Sequence, residues 1–265
     1  MHAFEYHRPS NVKDAVALVL KKEEGRYLAG GQSLVQAMKL RLSSPTDLID
    51  LNAIGDLKAL KAESNAVTIG AMVRHAEVAA SSGVRKAIPA LASHAGIIGD
   101  RQVRHMGTIG GSLANNDPAA DYPAAVIALG ATIVTSKRKI EADQFFKGLY
   151  ETALEPGELI TAVSFPVPKR AAYMKFKNPA SRFAIVGVFV ADFGGKVRVG
   201  VTGAGPCAFR QTDMEKALAS KFAPESVASI KVKADGLNND LHASPEYRAH
   251  LITVMAKRAV EAAIK

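Results

Sequence analysis

The sequence predicts an α+β fold, and three observations support this class. Strand-like and helix-like segments alternate in the first half of the chain, strand-like runs dominate the middle, and helices close it. A predicted strand ends at Pro166 and Pro168, which mark the most favourable domain boundary. We therefore expect a larger part over residues 1–168, built from two α/β subdomains, and a smaller part over residues 169–265 with an antiparallel sheet and helices.

The first predicted elements are a helix, a strand and a second helix. The first helix is expected over Ser10–Lys21, because Ser10 can cap it and its apolar residues fall on one face. A short strand over Arg26–Ala29 then leads into a tight turn at the paired glycines Gly30 and Gly31. The second helix is expected to begin near Ser33.

Further elements follow from apolar runs and turn residues. The stretches "TDLIDL" and "AVTIGAMV" predict buried strands that bracket a turn near Gly55. Helices are expected over Arg74–Ala80 and Arg85–Ala95. Another is expected over Pro118–Leu129, with Asp117 as its N-cap and a proline in its first position.

Antiparallel strands are predicted for most of the remaining chain. The stretch "ATIVTSKRKIEA" is typical of a hairpin, and "GELITAVSFPVP" and "AAYMKFKN" predict single strands. A long hairpin is expected in "FAIVGVFVADFGGKVRVGVTGAG", with its turn at Gly194 and Gly195. The last helix is expected over Pro245–Ile264.

Composition restricts the class of protein. With 48% hydrophobic and 22% charged residues in 265, the chain can bury a sizeable core. Its one cysteine, Cys207, can form no internal disulfide and cannot hold an iron–sulfur cluster. The N-terminus shows no signal peptide, and no apolar window approaches the ~20 residues of a membrane span. These features predict a cytoplasmic protein without a membrane span.

The chain has a net charge of +9, and proteins that bind nucleic acids are often basic in the same way. Here the basic residues are scattered, and no aromatic side chains interleave with them as a base-stacking surface requires. The charge therefore favours solvated faces and attraction to acidic partners or to an anionic cofactor. A nucleotide- or nucleic-acid-binding module stays open as an alternative, and it predicts steeply salt-dependent binding.

Two glycine-rich segments share one layout. In "LAGGQSL" and in "GTIGGSLANNDP", paired glycines and a hydroxyl residue precede a predicted helix. Glycine allows the backbone to approach a ligand closely, and a helix N-terminus adds unpaired N–H donors, so the layout suits a phosphate or diphosphate. Either segment alone is as consistent with a structural turn. Two of them, about eighty residues apart, favour a dinucleotide with two ends to hold.

Common nucleotide and catalytic motifs are missing. Neither segment has the G-x-G-x-x-G spacing of a Rossmann site or the G-x-x-x-x-G-K-S/T spacing of a phosphate loop. The seven histidines form no metal-binding spacing, and no serine lies in G-x-S-x-G. We therefore expect no metal ligands, and no catalytic acid, base or nucleophile that would act on an organic substrate.

Two long stretches resemble one family. "AGGQSLVQAMKLRLSSPTDLIDL" and "RQVRHMGTIGGSLANNDPAADYPAAVIALGA", together with "EPGELITAVSFP" and "SPEYRAHLITVMAKRAV", resemble the FAD-binding medium subunit of molybdenum hydroxylases. This family includes the flavoprotein subunits of carbon monoxide dehydrogenase and of the xanthine dehydrogenase group. The resemblance covers nearly the whole chain, with the paired glycines in the same order.

The resemblance implies a fold and an assembly. Residues 1–168 would form the FAD-binding domain of the vanillyl-alcohol-oxidase type, and residues 169–265 the C-terminal flavoprotein domain. A molybdopterin-binding large subunit would oxidise the substrate, and a small subunit with 2Fe-2S clusters would pass electrons singly. This chain would bind FAD and transfer electrons to an external acceptor, in a heterotrimer that pairs into a dimer of heterotrimers.

The resemblance also implies site residues. The first glycine segment would contact FAD through Ala29, Gly30, Gly31, Gln32 and Ser33. The second glycine segment would do so through Thr108, Ile109, Gly110, Gly111 and Ser112, with Asn115 following. Single contacts would come from Asp121 in the next helix, Ile160 and Lys177 in later strands, and Phe183 beside the isoalloxazine ring.

Departures from the family pattern qualify these expectations. Neither glycine segment contains the His or Cys that could attach a flavin covalently, so noncovalent FAD is expected. Phe183 stands where some members have tyrosine, and it can stack on a ring but cannot donate a hydrogen bond. The alternative hypothesis is a stand-alone FAD-dependent oxidase or reductase of the same fold, which predicts substrate turnover by this chain alone.

Overall fold

A computed structural model describes residues 1–265. The chain forms twelve α-helices and fourteen β-strands, and the strands are arranged in four sheets. The strands are β1 Glu5–His7, β2 Gly25–Leu28, β3 Asp47–Asp50, β4 Leu60–Ala62, β5 Ala66–Gly70, β6 Thr132–Thr135, β7 Lys139–Glu141, β8 Phe146–Gly148, β9 Glu151–Thr152, β10 Ile160–Pro166, β11 Arg170–Lys177, β12 Ala184–Asp192, β13 Val197–Thr202 and β14 Phe209–Arg210. The helices are α1 Val12–Leu20, α2 Leu34–Lys39, α3 His75–Ala80, α4 Ser82–Ala87, α5 Pro89–Gly96, α6 Arg101–Met106, α7 Ile109–Asn115, α8 Tyr122–Ala128, α9 Ala142–Phe145, α10 Thr212–Ser220, α11 Glu225–Ala228 and α12 Pro245–Ala263.

The N-terminal part contains two of the larger sheets. The first is parallel with strand order β1-β3-β2, and α1 packs on it over a small apolar core. The second is antiparallel with order β4-β5-β10-β6-β7. In its centre Val163 of β10 lies between Ile69 and Ile133, so a strand from just before Pro168 completes this sheet. Helices α3, α4, α5, α7 and α8 contribute to the largest core, around this second sheet.

The four-stranded sheet β11-β12-β13-β14 organises the C-terminal part. Helix α12 packs on one of its faces and α8 on the other. A Cβ on Gly200 of β13 would lie 2.3 Å from the carbonyl oxygen of Ala124, so α8 rests directly on this strand. Because both faces are covered, every residue of β12 and β13 is buried, which explains their nearly continuous apolar sequence.

Several predicted elements are confirmed. Strands β6 and β7 form the expected hairpin, and β10 ends at Pro166. The long hairpin of β12 and β13 turns at Gly194 and Gly195, whose φ angles of 83° and 111° few other residues adopt. The last helix covers Pro245–Ala263, within one residue of its predicted end.

The predicted start of the first helix was wrong, and so was that of the helix expected at Pro118. Helix α1 is capped by Asn11 rather than Ser10, because the Asn11 side chain accepts the Asp14 N–H at 2.9 Å. Helix α8 begins at Tyr122, since the Asp117 side chain instead accepts the Ala119 N–H and holds residues 117–120 in a turn.

Two connections also differ from the prediction. The chain near Gly55 forms two short 3₁₀ helices and the extra strand β4, so β3 and β5 belong to different sheets. The helix expected over Arg85–Ala95 is split at Ile88, because Pro89 starts a new helix that cannot continue the old one. None of the helices is both long and apolar enough to cross a membrane.

Candidate functional site

The first glycine segment follows β2 and leads into α2. Gly31 has a φ of 70°, which turns the chain sharply before the helix. The backbone N–H groups of five successive residues, Gly30 to Leu34, donate to no acceptor in the chain. The side chains of Gln32 and Ser33 also make no hydrogen bond within the chain, so this segment offers a continuous row of donors.

Such a row of donors suits an anion. Successive backbone N–H groups at a turn form a concave site for phosphate oxygens, and glycine leaves the backbone accessible. The residues of the segment are half-buried, apart from exposed Ser33, so their donors are only partly open to solvent. Unpaired donors in that position are costly to leave without a partner. The prediction that this segment is more than a turn therefore has support in its own geometry.

The second glycine segment has a different structure from the one expected. Its paired glycines lie inside helix α7, with Thr108 as N-cap accepting the Gly111 N–H at 3.1 Å. The Ile109 N–H donates to the Val73 carbonyl and the Gly110 N–H to the Ala71 carbonyl, at 3.2 and 2.9 Å. The backbone donors that were expected here for a ligand are thus bonded to the protein.

Other groups of the second glycine segment still face outward. Gly111 and Ser112 are half-exposed, and the Ser112 hydroxyl makes no hydrogen bond within the chain. The Asn115 side chain, one turn further along α7, is also half-exposed and unpaired. Ile109 and Gly110 are buried, and their role is to attach α7 to the strand β5 region.

The two glycine segments are in direct contact. A Cβ on Gly30 would lie 2.0 Å from the carbonyl oxygen of Met106, and a Cβ on Gly111 would lie 3.5 Å from the Cβ of Ala29. The Asn52 amide donates to the Ala29 carbonyl at 3.3 Å and fixes the first segment from its other side. Segments nearly eighty residues apart in sequence therefore form one surface.

Asp121 lies just before α8 and is buried. Its carboxylate accepts the Tyr173 hydroxyl at 2.6 Å and the Lys175 ammonium at 3.0 Å. Burial raises the pKa of Asp121, and the charge of Lys175 opposes that shift. Both oxygens of this carboxylate are therefore engaged with protein groups, and the carboxylate serves first to tie α8 to strand β11.

Lys175 is a residue that the sequence reasoning missed. Its side chain is 4% exposed, and its ammonium also donates to the Ile97 carbonyl at 3.1 Å. Lys177, which was expected at the flavin, is exposed beyond a register shift in β11. No local pattern distinguishes Lys175 from Lys177, because the period of a strand places both on the same face as Tyr173.

A glycine makes room for this arrangement. A Cβ on Gly187 of β12 would lie 2.1 Å from the Tyr173 hydroxyl, so only glycine lets Tyr173 lie across the neighbouring strand to reach Asp121. The aromatic ring of His94 contacts Tyr173, with ring centroids 4.5 Å apart. Asp121, Lys175 and Tyr173 are thus held by packing on both sides.

Ile160 and Phe183 have opposite environments. The Ile160 side chain is 3% exposed and belongs to the largest core, so only its backbone can face a ligand. Phe183 is 48% exposed and follows Arg182, whose φ is 64°. The next residue, Ala184, donates to the Ala119 carbonyl at 3.3 Å, which places Phe183 beside the turn that precedes Asp121.

The charged groups around the second glycine segment are mostly structural. The Arg104 guanidinium donates to the Ile98 and Gly99 carbonyls at 3.0 and 3.1 Å and closes the turn before α6. No group of three or more His, Cys, Asp or Glu side chains has an arrangement that would hold a metal ion. The chemistry of the donor set is therefore that of an anion site, made of N–H and hydroxyl donors next to a buried ion pair.

Comparison with known proteins adds the family. A family model described as "FAD binding domain in molybdopterin dehydrogenase" matches residues 2–168. The carbon monoxide dehydrogenase medium chain of Afipia carboxidovorans is 37% identical over 278 residues, covering 98% of this chain and 96% of that protein. The nicotine 6-hydroxylase medium subunit of Paenarthrobacter nicotinovorans is 35% identical and covers 97% of this chain and 96% of that protein.

A solved structure shows the same architecture. A chain in carbon monoxide dehydrogenase from Hydrogenophaga pseudoflava superposes with a TM-score of 0.91 at 36% identity. The alignment covers 99% of this chain and 98% of that chain. The α+β class predicted from the sequence is confirmed by this similarity and by the mixed sheets and helices of the chain itself.

Proposed function

Because this chain belongs to the family of FAD-binding domains of molybdopterin dehydrogenases, we propose that it is the flavoprotein subunit through which such a complex delivers electrons to an external acceptor. The chain is a component of an oxidoreductase, as its relatives are. FAD, when bound, can exchange electrons singly or in pairs. The residues of this chain bind the cofactor and position it.

The observation that carries the proposal is the row of five unpaired N–H groups from Gly30 to Leu34. A diphosphate supplies the acceptors that this row requires, and the hydroxyls of Ser33 and Ser112 add donors beside it. The contact between Gly30 and the Met106 carbonyl brings the second glycine segment to the same ligand. We assign the cofactor contacts to Ala29–Ser33, with Thr108, Gly111, Ser112 and Asn115 on the opposite side.

The flavin end of the site is assigned to the turn before α8. Asp121 and its partner Lys175 form a buried charged pair there, and exposed Phe183 lies next to the same turn. Lys175 therefore replaces Lys177 in our assignment, since Lys177 is exposed and has no tie to Asp121. Phe183 offers an aromatic face to a planar ring, and the backbone of Ile160 is the remaining candidate contact.

The cofactor is proposed to bind noncovalently. Neither glycine segment contains His or Cys. His75 and His94 are buried, and exposed His105 bonds the Arg101 carbonyl on its own helix. These three histidines therefore have structural roles, and we assign none of them to a covalent bond with the flavin.

The substrate is proposed to be chosen by another subunit. The two relatives named above are both similar to this chain along nearly its whole length, while their names refer to carbon monoxide and to nicotine, two chemically unlike molecules. We propose a molybdopterin-binding large subunit and an iron–sulfur small subunit as partners, in a cytoplasmic dimer of heterotrimers. The single cysteine, Cys207, supports a reducing compartment and clusters on other chains. The domain boundary is proposed at Pro168, where the chain leaves one sheet for another.

Isolation of the native complex tests the subunit role. A tagged chain expressed with its genomic neighbours should bring down two further polypeptides. The complex should contain molybdenum, iron and one FAD for each copy of this chain. A chain that is isolated without a molybdenum- or iron-containing partner, and that oxidises a substrate by itself, would show a stand-alone oxidase instead.

A further inference from the structure

A buried cluster behind the proposed cofactor site contains polar atoms without partners. Four of the six buried side-chain atoms that lack a hydrogen bond in the chain belong to three residues: Nδ1 of His75, Nδ1 and Nε2 of His94, and the hydroxyl of Tyr122. All three side chains are at most 5% exposed. Buried polar groups nearly always have a partner, which is either another protein group or an ordered water molecule.

The Tyr122 ring packs against the rings of both His75 and His94, and the three side chains make no hydrogen bond with one another. The Tyr122 ring centroid lies 5.3 Å from that of His75 and 5.2 Å from that of His94, with the planes tilted by 51° and 56°. The carbonyl of Asp121 is near enough to His94 to favour its protonated form, but it makes no hydrogen bond of normal geometry with it.

The cluster connects the two halves of the proposed site. The His75 ring packs on Gly107, where a Cβ would lie 2.6 Å from Nε2, and the backbone N–H of His75 donates to the Gly107 carbonyl at 3.0 Å. On the other side, His94 contacts Tyr173, which bonds Asp121. The cluster therefore extends from the first residue of the second glycine segment, Gly107, to the charged pair of Asp121 and Lys175.

We propose that His75, His94 and Tyr122 bind internal water, and that this water positions the Asp121 turn and Gly107 for the cofactor. A water molecule both donates and accepts, so it can serve a hydroxyl and neutral imidazoles together. Both imidazoles are neutral at pH 7, because burial lowers the pKa of each to about 3. The positioning role rests on the proposed FAD site, whereas the water site does not.

Tyr122→Phe tests the water site, because the sign of its effect depends on whether the hydroxyl is hydrated. Phe keeps the ring and its packing and removes only the oxygen. A hydroxyl bonded to water stabilises the fold, so its loss should lower the urea midpoint of the protein without cofactor. A dry, unpaired hydroxyl destabilises the fold, so its removal would leave the midpoint unchanged or raise it. That second result overturns the proposal.

Two matched tyrosines calibrate this measurement. Tyr27→Phe removes a hydroxyl that donates to the Gly157 carbonyl at 2.9 Å, and it should lower the midpoint. Tyr247→Phe changes a 43% exposed side chain whose hydroxyl makes no hydrogen bond in the chain, and it should have little effect. Tyr122→Phe is expected to resemble the first. A crystal structure of the complex should show water at about 3 Å from the Tyr122 oxygen and from an imidazole nitrogen. A dry cluster in that structure also overturns the proposal.

FAD titration tests the positioning role. At a temperature where both variants are fully folded, Tyr122→Phe should weaken FAD binding several-fold and change the visible circular dichroism of bound flavin. Tyr247→Phe should bind and appear like wild type. A purely structural role would lower stability and leave the spectrum of the bound flavin unaltered, and that outcome contradicts the proposal. Wild-type protein that takes up no FAD would instead contradict the proposed function.

Discussion

Gly30 and Gly111 occupy the same site for different physical reasons. A Cβ on Gly30 would lie 2.0 Å from a backbone oxygen, that of Met106, which cannot move aside without moving the helix end. A Cβ on Gly111 would lie 3.0 Å from the Thr108 hydroxyl and 3.5 Å from the Ala29 Cβ, so an alanine nearly fits. Gly30 is required by the contact between the two glycine segments. Gly111 is the position at which ligand approach can be tested with the fold kept.

Substitution of Gly111 should affect FAD binding more than folding. Gly111→Ala gains helix propensity in α7, which offsets its tight contact with Thr108, and should weaken FAD binding. Gly111→Val places two more carbons over the first glycine segment and should abolish binding. Isothermal titration with FAD measures both, and Gly55→Ala is the control, since its Cβ would meet nothing within 4 Å. If the folded Gly111→Val variant still bound one FAD per chain, the second glycine segment would have only a structural role.

The buried pair of Lys175 and Asp121 gives a second prediction for a single residue. Removing one partner leaves an uncompensated charge, so Lys175→Met should cost about 3 kcal/mol of unfolding free energy. Lys177→Met, two residues along the same strand, should cost almost nothing because Lys177 is exposed and unpaired. Urea denaturation of the two variants makes the comparison. Equal stabilities would show that the pair is not formed in solution.

At the scale of elements, a clamp holds the β6–β7 hairpin to the turn before β10. The buried Glu158 carboxylate accepts from the Thr135 hydroxyl at 2.6 Å, from the Arg138 guanidinium at 3.1 Å and from the Glu155 N–H at 2.8 Å. Desolvation raises the pKa of Glu158, but the hydrogen bonds from these three partners outweigh that effect and lower the pKa to about 2. The folded state therefore favours the ionised carboxylate.

This clamp predicts part of the acid sensitivity of the protein. Because the pKa is lower in the folded state, the clamp stabilises at pH values above the ordinary value of 4.5, and this stabilisation disappears as the pH falls towards 2. Glu158→Gln should be less stable than wild type at pH 7 and should lose less stability between pH 4.5 and pH 2. Urea midpoints measured across that range test this. Glu155→Gln, at a 52% exposed side chain, should follow the wild-type curve.

The sequence predicted elements better than it predicted contacts between them. The hairpins, the Pro166 strand end and the last helix follow from local signals: turn glycines, prolines and periodic apolar residues. The start of α8 was missed because the Asp117 side chain can either cap a helix or close a turn. The Thr202 hydroxyl stabilises the turn, since it donates to the carbonyls of Pro118 and Ala120.

The site was partly predictable for a similar reason. The donors of Gly30–Leu34 follow from a local motif, and that motif is visible in the sequence. The fate of the Ile109 and Gly110 N–H groups depends on carbonyls at Val73 and Ala71, which no local pattern reveals. Lys175 was overlooked because its partner, Asp121, is 54 residues away along the chain. The resemblance to a family supplied the name of the ligand, whereas the spacing alone left a dinucleotide among other choices.

For the whole molecule, the two parts of the chain share a core. Tyr173, Phe189 and Ala191, from beyond Pro168, belong to the same apolar cluster as the second N-terminal sheet. Lys175 joins both parts through Asp121 and the Ile97 carbonyl. The change of sheet at Pro168 therefore separates two architectures, while the packing continues across it.

A fragment of residues 1–168 should consequently fold poorly. It lacks the strands that cover α5 and α8, and it leaves Asp121 without either partner. We expect rapid proteolysis, a broad thermal transition and no measurable FAD binding, against full-length protein under the same conditions. A fragment with a cooperative transition and wild-type affinity for FAD would show that the C-terminal part is dispensable for the site.

The central claim is that the two glycine segments together hold FAD, and equilibrium binding of FAD to the purified chain tests it most directly. The account predicts one FAD per chain, released intact by acid, and no binding by Gly30→Ala, in which the contact with the Met106 carbonyl cannot form. A wild-type chain that is folded, colourless and unable to take up added FAD would contradict the account, as would a folded Gly30→Ala variant that binds FAD like wild type.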